Sequence, residues 1–545
     1  MSTKSRTRAA LSGSRMPALT GAARVAADDD RRPLDVTLRL RAKSGQLARA
    51  VRHVLDGRRP PFTREEFAGR FGASKRDCAV VERWAARHHV RVMRIDLARR
   101  AIDLRAPAGH LARLFGATLV RYRLRGVTWA SRAGALTLPR ELDRIVLGVF
   151  GFDERPLAVR GAPPMATGAA GGHRLSFTPP EIARYYNFPE RLDGRGQTVG
   201  VIALGGGYRE RDLGTFYRHL ELRRPTFKNV CVCGASNAPG GPSMMADGEV
   251  TGDIETIGAI APGADIVVYF GPNSGRGFLE AVSRAVHDNR HRPSVISISW
   301  GQNEMHWTRR TLRLFDEVLA EAVAMGVTVC CASGDFGAFA DLRDRTPHVC
   351  FPGSSPYVIA CGGTSLRRGR NRRLEETAWR DAQGASGGGM SAVFPRPAWQ
   401  IGPGFPRVRR GQHGRGVPDV AANGDPESGY RVFVLGRWVV GAGTSAAAPV
   451  WAGLVALVNQ MRGAPIGLFT PYLYRHRHEL VRKGALRPVR KGQSGGPAAR
   501  HPWNRHTGLG VPHGGKLAGA LIDAFRGLMP DVPPRRRPRR RAARR

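Results

Sequence analysis

The sequence predicts two folded units, a smaller α+β domain followed by an α/β domain whose parallel sheet is flanked by helices. Three observations predict this. The chain is 545 residues long with a hydrophobic fraction of 42%, more than one ordinary compact domain holds and enough apolar material for two cores. Its second half carries short, wholly apolar runs that alternate with longer amphipathic stretches, the pattern of strands buried on both faces between helices. Between the halves, 154–175 turns rich in Gly, Ala and Pro (AVRGAPPMATGAAGGHRL), a composition suited to an exposed, cleavable linker.

The elements follow in chain order. Residues 1–32, rich in Ala, Arg, Ser and Thr and closing on Asp28, Asp29 and Asp30, read as a disordered leader without the apolar core of about 7 to 15 residues that marks a signal peptide. Residues 33–153 read as the first domain: an alternating strand Leu34–Leu40, a helix ending near Leu55, and a capping box of Thr63 with Glu66 that opens a helix. A further helix starts at Lys75, and strands Val90–Leu97 and Leu119–Leu124 flank a helix Ala108–Phe115.

Residues 176–529 read as the second domain, with buried strands Thr198–Leu204, Asp265–Gly271, Ser294–Trp300, Gly326–Ala332 and Tyr357–Gly362 and helices at Phe278–Asp288 and Arg309–Met325. The tail 530–545, rich in Pro and Arg, reads as disordered.

Charge and cysteine usage bound the function. Eighty-six Lys and Arg against 44 Asp and Glu leave a net charge of +42, of which the eight arginines of the tail are a minor part. Such an excess suits solubility or encounters with polyanions, and the tail is a candidate for salt-sensitive, non-specific polyanion binding. Seven cysteines, at 78, 231, 233, 330, 331, 350 and 361, lack zinc-site spacing, and Cys350 with Cys361 is a candidate disulfide. No apolar window reaches the roughly 18 residues of a membrane span.

The chemistry concentrates in three stretches. Gly443–Pro449 (GTSAAAP) leads into an apolar helix, Val450–Met461, so Ser445 sits where a loop enters a helix whose N–H groups can meet a developing oxyanion. This context is the serine motif of the subtilisin-like fold. A subtilisin triad also needs an Asp ending the first strand and a His opening the next helix. The first strand is TVGVIALGGGY, with Ala203 near its end, and the helix is DGEVTGDIETIGAIAPGA.

In that helix Glu249 and Asp253 are four apart and share one face. Two stacked carboxylates tend to share a proton near acidic pH, so Glu249 can act as base for Ser445 with Asp253 behind it. The third stretch, VCCASGDFGA, places Asp335 after a buried strand, where a protonated acid can donate to an oxyanion.

With those residues in hand the chain resembles the sedolisin, or serine-carboxyl peptidase, family, and its kumamolisin-like branch in particular, from about Pro33 to Gly527. The resemblance rests on FTREEFAGRFGASKRD, DGEVTGDIE, IAPGADIVVYFGP, SVISISWG, ASGDFG, GASGGGMSAVFPRPAWQ, GRGVPDVAANGDP, GTSAAAP and HTGLGVP, in the family's order. It implies a subtilisin-like catalytic domain behind a propeptide, with Ser445, Glu249 and Asp253 at the triad positions, Asp335 as oxyanion acid and Trp300 near the site. It further implies an extracellular, self-processing zymogen, active at acid pH and monomeric, that takes protein or peptide substrates and is inhibited by its own propeptide.

Three departures accompany the resemblance. Gly252 stands where the family usually has leucine, and Ala203 where some members carry a further glutamate. The family's calcium site aligns with Pro488–Val489 and Arg500–Asn504, where both carboxylate ligands are gone, so calcium, which needs anionic oxygens, is expected to be lost. Basic residues Arg490, Lys491, Arg500 and Arg505 are candidates to replace the ion. Two competing readings are a subtilisin-type Asp/His/Ser enzyme and a catalytically weak member serving as a basic polyanion-binding protein.

Overall fold

The computed structural model describes residues 8–18, 21–124, 126–157, 166–167, 175–241, 244–339, 347–369, 371, 373–402, 405, 414–492 and 503–526. The second domain is built on an eight-stranded sheet. Its parallel run is Thr226–Cys231, Asp265–Gly271, Thr198–Leu204, Val295–Ile298, Thr328–Ala332 and Ile359–Arg368. Val420–Asn423 joins the last of these in parallel, and Leu374–Ala378 closes it antiparallel.

The central strands are apolar or β-branched nearly throughout, as in TVGVIAL, VISI and TVCCA, and almost every residue is buried. A strand covered on both faces has no use for alternation, so it reads as a continuous apolar run. Helices Gly275–Val286 and Arg309–Ala324 pack together, and helices Met244–Ile260 and Thr444–Arg462 form a second packed pair.

The first domain has its own core of Val36, Leu38, Val81, Trp84, Ile102, Leu104 and Phe115. Its four-stranded antiparallel sheet runs Arg91–Asp96, Ala101–Pro107, Pro33–Leu40, Val146–Phe150. The expected capping box is present, with the Glu66 amide donating to Thr63 Oγ1 and the Thr63 amide to Glu66. That helix, Arg64–Phe71, docks on the second domain. Phe62, Phe67 and Phe71 belong to the larger domain's core. The Phe62 amide donates to Ala324 O at 2.9 Å, and the Arg64 guanidinium donates to Val286 O and Pro293 O at 2.9 and 2.7 Å.

An ionic layer seals the same interface. Arg39, Arg99 and Arg100 of the first domain are 1 to 3% exposed. Arg39 and Arg100 meet Glu321, Arg100 also reaches Glu317 at 2.8 Å, and Arg99 meets Glu280. Glu321 additionally contacts His287 Nε2 at 2.7 Å. In a chain with so many arginines, nothing local marks these three for burial.

Two expectations are corrected. The segment 1–32 is not a disordered leader through its described part: Arg8–Ala10 pairs with Thr137–Pro139, and Ala23–Ala27 pairs with Thr118–Leu124. Asp28, read as part of an acidic coil, is buried and pairs with Arg32 and Arg121. Partners about a hundred residues away supply the hydrogen bonds that composition alone does not reveal. Cys350 and Cys361 are not joined in a disulfide; Cys361 contacts Cys330, and Cys350 packs against Gly334. The tail 530–545 lies outside the described residues, as does most of 154–175.

Candidate active site

The site lies where helices Met244–Ile260 and Thr444–Arg462 meet. Ser445 occupies the first turn of the second helix, which begins six residues ahead of the predicted start. Gly443 precedes it at φ 96°, and a Cβ there would come within 2.7 Å of Asp335 Oδ2. Only glycine holds both that backbone and that approach.

Pro449 lies four residues after Ser445 inside the helix. Without an N–H it cannot bond the Ser445 carbonyl, as the helix pattern otherwise requires. That oxygen accepts instead from Ser299 Oγ at 3.1 Å.

The four residues expected from sequence are together. Ser445, Glu249 and Asp253 line one open cleft of about 490 Å³. Ser445 Oγ is 3.2 Å from the Ser299 carbonyl oxygen and within hydrogen-bond contact of the Glu249 carboxyl. Asp253 is 3% exposed; its Oδ1 accepts from Ser299 Oγ at 2.7 Å, and its Oδ2 has no hydrogen-bond partner among the described residues. Asp335 is behind the serine helix start, with Oδ1 accepting from both the amide and the hydroxyl of Thr444 at 2.7 Å.

Burial dominates the electrostatics. It raises Glu249 well above the usual carboxylate range, with the neighbouring charge of Asp253 adding to the rise and the contact with Ser445 opposing it. Burial also raises Asp253 against the opposing bond from Ser299. Asp335 is pushed up to about 7 by burial, and its two bonds from Thr444 offset only part of that. Desolvation disfavours the charged form of any carboxyl, and the charges of Asp253 and Asp335 add to its effect on Glu249.

Ser299 and Thr444 were missed by sequence reasoning, which picked out Trp300 from SVISISWG. Trp300 is packed in the core one residue past Ser299. A hydroxyl at the carboxyl end of a buried parallel strand was the available signal, since open α/β sheets present their sites there. Ala203 is fully buried and brings no carboxylate.

The donors at the aligned calcium position are also described. Asn504 Nδ2 donates to Val489 O at 3.3 Å and to Thr507 Oγ1 at 3.0 Å, while its Oδ1 accepts from the amides of His506 and Thr507 at 2.9 Å. Lys491 pairs with Glu375 at 3.2 Å. Arg500 lies outside the described residues.

Comparison with known proteins places this geometry. Residues 20–155 match the family described as "Pro-kumamolisin, activation domain", and residues 232–483 match the "Subtilase family". Kumamolisin of Bacillus sp. (strain MN-32) is 39% identical over 475 residues, spanning 84% of this chain and 85% of its own. The chain belongs to the sedolisin family of serine-carboxyl peptidases. Sedolisin of Pseudomonas sp. (strain 101) is 27% identical over 518 residues, 90% of this chain and 86% of its own. The solved structure of Pseudomonas sedolisin, complexed with two molecules of pseudo-iodotyrostatin, matches with a TM-score of 0.58 at 27% identity, over 65% of this chain and 99% of that one. As a member of the sedolisin family the protein is a peptidase with a subtilisin-like catalytic domain behind an activation domain. No helix among its described residues is long and apolar enough to cross a membrane.

Proposed function

We propose that the protein is an acid-active endopeptidase that processes its own precursor, with Ser445 as nucleophile, Glu249 as its base, Asp253 as the supporting acid and Asp335 as oxyanion donor. The convergence on one serine of three carboxyls with raised pKa, Asp253 and Asp335 buried and Glu249 partly exposed, carries this reading. No histidine lines the cleft.

In the reaction Ser445 Oγ attacks the scissile carbonyl and Glu249 takes its proton. As the tetrahedral intermediate collapses, Glu249 returns that proton to the leaving amine and an acyl-enzyme remains, which water cleaves with Glu249 as base again. General-base help of this kind is worth about 10² to 10⁴ in rate. The one proton of Ser299 Oγ goes to Asp253 Oδ1 while that carboxyl is ionised, and to Ser445 O once Asp253 is protonated and itself donates to Ser299. Asp335 holds its Oδ1 on Thr444 and can present a proton to the oxyanion only while neutral. Asp335 donates only below about 7, and Glu249 and Asp253 ionise as an interacting pair, so the working form is the one with Asp335 neutral and one of that pair charged.

The zymogen part is supported by the linker. Ala166–Thr167 pairs antiparallel with Arg437–Gly441, the strand that ends beside the cleft at Gly441 and Ala442. A chain held on that strand is close to the cleft rim, and we place the cut within 154–175. The extracellular location follows from the family resemblance.

The reading includes no calcium. Asn504 turns an N–H toward the Val489 carbonyl that a cation would need, and Pro488 offers no carboxylate. The Asn504 amide occupies the Val489 carbonyl in place of an ion, and Arg490, Lys491, Arg500 and Arg505 stay candidates to supply the positive charge nearby.

The test is stepwise acidification of purified precursor beside its Ser445→Ala variant. Wild type is expected to shorten at acid pH with a new amino terminus within 154–175, and the variant to stay intact. Equal shortening of both would overturn self-processing.

A further inference from the structure

We infer that Gly252 sets the substrate preference of this site by opening a pocket beside Ser445 for a bulky apolar side chain next to the scissile bond. The inference rests on the peptidase reading above.

Gly252 lies in the interior of helix Met244–Ile260, where glycine costs about 1 kcal/mol relative to alanine. Its neighbour on the same helix, Gly258, has an evident packing reason, since a Cβ there would come within 2.1 Å of the Tyr217 hydroxyl. Gly252 has none: a Cβ built on it meets no heavy atom of the described residues within 4 Å. The helix therefore carries a destabilising residue at a place that packing leaves empty, directly between Glu249 and Asp253.

That empty place opens on the cleft of about 490 Å³. Its walls are Met245 and Thr256 from the same helix, Tyr430 and Val432 from strand Tyr430–Val434, and Ala446 and Pro449 from the serine helix. Beyond Ser445 and the two carboxyls the polar side chains of the lining are Thr256 and Tyr430, whose hydroxyl is turned to Asn423 O, and the remaining walls are apolar, which favours an apolar guest. A side chain at 252 would project into this space and shorten it.

The cleft also has a rail for substrate backbone. Arg437–Gly441 pairs on one side with Tyr430–Val434 and on the other with Ala166–Thr167. A peptide displacing the linker adds to this sheet edge, where main-chain bonds hold it and alternate side chains find pockets.

The experiment compares kcat/KM on short peptides carrying Ala, Leu or Phe at each position flanking the scissile bond, for wild type, Gly252→Ala and Gly252→Leu. Wild type is expected to favour Leu or Phe over Ala by about tenfold or more at one flanking position, the discrimination that a few buried methylenes provide. Gly252→Leu is expected to cut that ratio by about tenfold or more, with Gly252→Ala intermediate. Gly252→Ala also removes the glycine cost and should melt higher, which keeps the comparison on a folded protein. An unchanged ratio in Gly252→Ala and Gly252→Leu would overturn the inference and leave the peptidase reading standing. A wild type that cleaves none of these peptides or a denatured protein at acid pH would overturn both.

Discussion

The hydroxyl of Ser299 stands 2.7 Å from Oδ1 of Asp253 and 3.1 Å from the carbonyl oxygen of Ser445, which Pro449 leaves free. One side chain thus ties Asp253 to the backbone of Ser445. Ser299→Ala is expected to lower kcat/KM by about 10- to 100-fold, the scale of one lost bond to a charged or buried group. Ser299 lowers the pKa of Asp253, so its removal should move the acid limb of the pH profile upward. A pH–rate profile identical to wild type would show that the contact is packing only.

Asp335 should define the alkaline limb. Its carboxyl is raised to about 7, so its donating form is present below that pH and lost as pH rises through it. In Asp335→Asn the amide nitrogen donates at any pH, and the alkaline limb is expected to disappear or move up by at least a unit. In Asp335→Ala the rate should fall about 10²- to 10³-fold at all pH values.

His287 should help release the activation domain on acidification. Burial lowers its pKa, with the charges of Arg39 and Arg99 adding to the fall, while Glu321 opposes them; Phe67 covers the ring at 5.6 Å. Once the domains part, the arginines leave, water enters and Glu321 remains, so the separated state binds the proton better. The docked state binds fewer protons and loses stability as pH falls below the ordinary histidine value of about 6.5, by up to about 1.4 kcal/mol per unit. Glu321 is held well below the usual carboxylate range by Arg39 and Arg100 against a large burial cost, and does not titrate in this window. His287→Gln is expected to shift the midpoint of precursor shortening to lower pH by about half a unit or more. An unmoved midpoint would exclude the histidine.

Melting should be indifferent to calcium. With Asn504 already bonded to Val489, chelator and added calcium should each change Tm by less than about 2 °C, the shift of roughly 1 kcal/mol. A chelator-induced drop that calcium reverses would show an ion at this corner.

Much of the site was legible in sequence because its residues sit in short local patterns. Glu249 and Asp253 are one turn apart on a helix, and Ser445 is announced by the small residues around it. Ser299 and Thr444 were not legible, since a serine or threonine beside a strand or helix start is ordinary until its partner is seen. The buried Arg39, Arg99 and Arg100 were hidden by an abundance of exposed arginines, and the strands Arg8–Ala10 and Ala23–Ala27 by a composition that resembles coil.

By itself the sequence determined the two-unit order, the apolar parallel strands and the carboxylates that stand where histidine is absent, because periodicity and motif spacing are local properties of the chain. Only the tertiary structure decided which hydroxyl joins Asp253 to Ser445, that the Asn504 amide bonds Val489, and that the space beside Gly252 is empty. Those relations bring together residues 15 to about 200 positions apart, and distances of that kind are set by how the layers pack.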